Sequence, residues 1–117
     1  MKIPQALGRY FADSTLRFLS FDADSGEASL SIEKEIGPES GIIRVFGASY
    51  VSLPDCFAGD GIDAVPVADL TESFWNQTPC HRDLVEHDQT VFQFFDQDGA
   101  MHFLVADSIT YDIVTNS

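Results

Sequence analysis

Two cysteines and three histidines are the residues best suited to metal or nucleophilic chemistry in this chain. Cys56, Cys80, His81 and His87 all fall in its middle stretch. Zinc would take four such ligands in a tetrahedron, usually delivered as CxxC or HxxxH pairs. Here Cys80 and His81 are adjacent, and neighbours on a regular element point in different directions, so ordinary cysteines and surface histidines are the better account of the pattern. Cys80 near a helix start, with His81 or His87 as base, would suit nucleophilic catalysis, against the commoner fate of a buried structural thiol.

Carboxylates form a second group. Asp22-Ala23-Asp24-Ser25-Gly26 and Asp96-Gln97-Asp98-Gly99 look like calcium loops, but such a loop needs glycine at its sixth position and a bidentate glutamate at its twelfth. Gly26 and Gly99 come early, and the twelfth position from Asp22 is Glu33, inside an expected strand. Turn formation by Asp and Gly is the simpler explanation. His81-Arg82-Asp83-Leu84 spells a kinase catalytic-loop tetrapeptide in a chain with no glycine-rich phosphate loop and no Asp-Phe-Gly. Gly47-Ala48-Ser49-Tyr50-Val51 lacks the second glycine of a nucleophile elbow. No cofactor is expected. Asn76-Gln77-Thr78 forms a glycosylation sequon that carries meaning only in a secreted protein.

The elements that must position these groups are mostly strands. Leu19, Phe21 and Ala23, then Ala28, Leu30 and Ile32, alternate around Asp24-Ser25-Gly26 and predict a hairpin. Ile42–Phe46 and Ala48–Leu53 predict a strand bent or bulged at Gly47. Residues 55–61 read as a loop, and Ile62–Val67 as a short strand whose Pro66 suits an edge. Val91–Phe95, the turn at residues 96–99, and Met101, Phe103 and Val105 predict a second hairpin. Its pattern continues through Ile109, Tyr111 and Ile113 after a kink at Asp107-Ser108. Residues 4–12 and 80–87 are the candidate short helices, the latter opened by Thr78-Pro79, and residues 68–75 offer one or two helical turns. The expected fold is α+β, mainly β: one domain over 1–117, a curved antiparallel sheet of about six to eight strands with one or two short helices.

Composition narrows function. The chain has 117 residues, 44% of them hydrophobic with ten Phe, so a real core is within reach. Its 19 acidic residues outnumber 6 basic ones, for a formal charge of −13. Residues 1–44 hold five of the basic groups against seven acids, and residues 45–117 hold only Arg82 against twelve. Nucleic acid and anionic membrane recruit Lys and Arg, so neither is an expected partner. A basic protein is, although solubility or a generally acidic proteome would produce the same balance. No export signal opens the chain and no membrane-spanning run occurs, which predicts a cytoplasmic protein with reduced thiols.

Aromatic residues supply the candidate interface. Strand 91–95 carries Phe92 and Phe94 on one face and Val91 and Phe95 on the other, so it is either sandwiched between layers or covered by a partner. Core is the default. Trp75 and Phe74, with Phe92, Phe94 and the acids Asp60 and Asp63, form the candidate interface, and an exposed Trp75 among acids would be its anchor.

The run Ile43-Arg44-Val45-Phe46-Gly47-Ala48-Ser49-Tyr50-Val51-Ser52-Leu53-Pro54, preceded by the hairpin at Gly26, resembles small bacterial β-rich domains of unknown function. In layout it is similar to one of the small immunity-protein families of bacterial toxin systems. That resemblance implies a non-enzymatic neutraliser of a toxin, and the acidic balance suits a basic nuclease. The leading expectation is a cytoplasmic binding module with a basic protein partner or a second copy. An immunity-type inhibitor is the alternative, and a small metal-binding or cysteine enzyme using Cys80 and His81 the third reading.

Overall fold

Alternation of apolar and polar residues, broken at Asp/Gly corners, produces eight antiparallel strands in one open sheet. A computed structural model describes residues 14–34, 39–78, 83 and 85–115. The strands are β1 (Ser14–Asp22), β2 (Glu27–Lys34), β3 (Glu39–Phe46), β4 (Tyr50–Ser52), β5 (Cys56–Pro66), β6 (Thr90–Asp96), β7 (Met101–Ala106) and β8 (Ser108–Thr115). A 3-10 turn (Val67–Asp69) and one short helix, α1 (Glu72–Gln77), separate β5 from β6. Among the described residues no helix is long and apolar enough to cross a membrane.

Both predicted hairpins form, and their aspartates explain why. Asp22 accepts the Asp24 amide on Oδ1 at 2.9 Å, and Gly26 takes φ 72°. Asp96 Oδ1 accepts the Asp98 and Ala100 amides, each at 2.9 Å, with Gly99 at φ 87°. Each leading carboxylate thus satisfies its own turn. Among the described residues no three His, Cys, Asp or Glu side chains gather as a metal site.

The order across the sheet is β4-β7-β6-β5-β1-β2-β3-β8. Its two ends are drawn together by the chain itself. Only Asp107 separates β7 from β8, and only Gly47, Ala48 and Ser49 separate β3 from β4. The two bent passages lie side by side: Phe46 pairs with Ser108 on one side of the bend, and Tyr50 with Val105 on the other. The sheet therefore rolls up. One apolar cluster inside it joins Leu16, Leu30, Ile43, Phe57, Phe94, Leu104 and Ile109, drawn from seven of the strands. Burying a side chain of this size contributes roughly 1.5–3 kcal/mol.

A lock holds the bend. Gln89, only 4% exposed, donates from Nε2 to the Gly47 carbonyl (2.7 Å) and to Asp107 Oδ1 (3.1 Å). Its Oε1 accepts the Ser49 hydroxyl (2.7 Å) and the Glu86 amide (3.0 Å). Gly47 sits at φ 68°, and a Cβ there would run into the Asp107 carboxylate. Only glycine meets both demands cheaply.

Two expectations are corrected. Residues 56–61 are not loop: β5 runs unbroken from Cys56 to Pro66 and lies between β1 and β6, not at an edge. Its Asp-Gly signals mark a register shift between Gly59 and Gly61, and Pro66 is the last strand residue, where the ladder ends. Thr78, expected to open a helix, instead closes α1 in extended geometry. Residues 4–12, and 79–82 and 84 of the expected third helix, lie outside the described residues, while residues 85–88 form bends and turns.

Candidate functional site

Strand β6 faces two layers. Phe92 and Phe94 point into the rolled sheet and are wholly buried, so these two candidate interface residues belong to the core. Val91, on the opposite face, is also wholly buried, in a second cluster with Val67, Phe103 and Val105. The cover comes from the chain itself: Leu70, Phe74, Trp75 and Val85 pack over that face. This answers the two-faced pattern of β6: the strand is sandwiched.

At six residues, α1 is too short to persist without packing. The Thr71 hydroxyl caps it by accepting the Phe74 amide at 3.4 Å, and Glu72 in the first turn complements the helix dipole. Phe74 packs edge-on against Phe103 with centroids 5.4 Å apart, and Tyr50 stacks on the same ring at 5.4 Å. Phe74 is therefore the half-buried pin of the cap.

Trp75, also half-buried, meets Phe74 edge-on at 5.4 Å and lines a groove of about 270 Å³ with Leu70, Val85, Glu72 and His87. The surrounding segment exposes Asp69, Glu72, Asp83, Glu86 and Asp88, and no described residue of it is Lys or Arg. An indole beside aliphatic side chains, bordered by carboxylates, can take the stem and charged head of a Lys or Arg. Asp60 and Asp63 are exposed on β5 and do not line this groove.

A second cleft, about 480 Å³, opens between the start of β5 and the β6–β7 turn, lined by Cys56, Phe57, Asp96, Asp98 and His102 among others. His102 Nε2 donates to Asp96 Oδ2 at 2.9 Å, and the Phe57 ring tilts against the imidazole at 4.7 Å. The bond from His102 holds the Asp96 carboxyl below its ordinary range. Desolvation opposes that shift, and the Ala100 and Asp98 amides reinforce it. Every acceptor bond of Asp96 thus serves the hairpin. The exposed Cys56 thiol shares the cleft, but no hydrogen bond joins it to the imidazole.

The sequence-level cluster is not assembled among the described residues. Cys56 and His87 line different clefts, and Cys80 and His81 lie outside the described residues. The His102–Asp96 pair escaped the sequence reading. The signal was present: across the hairpin His102 stands opposite Phe94, which sets it diagonal to Asp96 on the same face near the turn. Gln89 left no local signal, because three of its four partners, Gly47, Ser49 and Asp107, come from two segments distant in sequence.

Fold and groove together define a class: a rolled antiparallel sheet bearing an acidic, tryptophan-centred cap. No known protein family, curated protein or solved structure matches the chain.

Proposed function

We propose that this protein is a binding module that docks a basic protein partner in the cap groove. The observation supporting the reading is the half-buried Trp75 in a concave site that combines Leu70 and Val85 with Glu72 and His87, among exposed carboxylates. Interface anchors are enriched in tryptophan set in a pocket, and complementary charge steers their partners. The excess of acids over bases in residues 45–117 extends the same field well beyond the groove. A toxin-type basic nuclease, neutralised in the manner of an immunity protein, is one partner with the required chemistry. Phe92 and Phe94, being wholly buried, would have no part in that contact.

Trp75 is the only tryptophan, so its fluorescence reports on the groove alone. Titration with a Lys/Arg-rich peptide should shift the emission, with an affinity that falls as salt rises. The double substitution Asp69→Asn, Asp88→Asn should weaken binding about tenfold, as the loss of two screened charge contacts implies. An unchanged spectrum, or equal response to an acidic peptide of the same length, would remove the basis for this reading.

A further inference from the structure

On the face of β1, β2 and β3 opposite the rolled core, the register lines up Ser20, Ser29, Arg44 and Thr110 in one row from β1 to β8. Arg44 is exposed between the half-buried Ile42 and Phe46. The register shift between Phe18 and Ser20 leaves Leu19 as the extra residue of a bulge, and its side chain is 50% exposed. Bulges re-aim side chains in this way. Leu19, Ser20, Ser29, Ile42, Arg44 and Phe46 line a groove of about 310 Å³, at the lower end of the size range of small-molecule sites.

Arg44 is unusual in this protein. Acids outnumber bases 19 to 6, yet among the described residues no carboxylate forms an ion pair with it, not even Glu27, which lines the same groove. A guanidinium flanked by hydroxyls and set between apolar side chains has its fork available for a planar anion. We propose that this groove binds a small apolar monocarboxylate, its head on Arg44 beside Ser29, its tail along Leu19, Ile42 and Phe46. One guanidinium, in a molecule of formal charge −13, favours a single negative charge over a phosphate dianion or a polyanion. The site lies on a different face from the Trp75 groove and does not depend on it.

Octanoate is the probe, with octylamine as the same tail of opposite charge and acetate as the head alone. Amide chemical shifts of the full chain should move at Ser20, Ser29, Arg44 and Thr110 with octanoate, and much less with the other two. Arg44→Gln should weaken octanoate binding at least about tenfold. Leu19→Ser, at an exposed position that leaves folding intact, should weaken it several-fold while sparing the response to charge. Circular dichroism checks that both variants fold. Equal binding of octanoate and octylamine, or undiminished binding in Arg44→Gln, would overturn the proposal. So would a dimer in sedimentation that Leu19→Ser dissociates and octanoate leaves untouched, since the face would then belong to a second copy.

Discussion

Replacing Gln89 by leucine keeps the bulk at the bend and deletes all four side-chain hydrogen bonds of the lock. Their loss is not evenly felt. Ser49 and Asp107 are exposed and can turn to water. The Gly47 carbonyl and the Glu86 amide are fixed in the backbone and cannot turn away once the Gln89 side chain is gone. Each backbone group stranded out of reach of water costs about 1–3 kcal/mol, and the methyl groups of leucine return part of that. A net loss of about 2–4 kcal/mol is expected from a total of about 5–15 kcal/mol. Urea unfolding reads it directly, since a slope of about 1–3 kcal/mol per molar converts the loss into a midpoint lower by roughly 0.7–4 M. The slope itself should stay constant. Gln89→Glu tests the assignment of donors: it keeps the two acceptor roles but sets a carboxylate against Asp107 and the Gly47 carbonyl. It should be at least as damaging at neutral pH and partly relieved in acid. A Gln89→Leu protein within about 0.5 kcal/mol of the parent, the usual scatter for surface changes, would refute the idea that this amide holds the bend.

Gly47→Ala forces a side chain into left-handed backbone and against Asp107, and thermal denaturation should show a loss of about 1–3 kcal/mol from the backbone strain alone. The folded-state pKa of Asp96 is depressed, chiefly by its bond from His102, so its stabilising contribution is complete above the unfolded carboxylate range. That contribution disappears as pH falls through the folded value. Stability curves of the parent and Asp96→Asn should therefore diverge at neutral pH and converge in acid, and parallel curves would rule the linkage out.

The hairpins at Gly26 and Gly99 were legible because their information is local: alternation on both arms and an Asp that bonds its own turn. The bend at Gly47 and the kink at Asp107 were legible for the same reason. β5 was misread because Asp60 and Gly61 are turn residues in isolation; pairing with β1 and β6 on both sides overrides that preference. The double-faced pattern of β6 left two options, a sandwiched strand or one covered by a partner, and could not name the cover, since the stretch that supplies Leu70, Phe74, Trp75 and Val85 has only short, weak periodicity. Of the candidate interface, Trp75 was legible as an aromatic beside acids, whereas the burial of Phe92 and Phe94 depends on which way the sheet rolls. Arg44 was not legible as a site, because its surroundings are set by the cross-strand row of Ser29 and Thr110.

The bent pairing of β3–β4 with β8–β7 also sets a timetable. Partners such as Phe46 and Ser108 are remote in sequence, and β8 is the last strand to be made. On a growing chain, β1, β2 and β3 can zip into a meander, but its greasy inner side stays uncovered until the closing ribbon emerges. The nascent protein thus passes through an adhesive half-sheet, and the speed with which its final strands arrive and close decides between a soluble product and an aggregate.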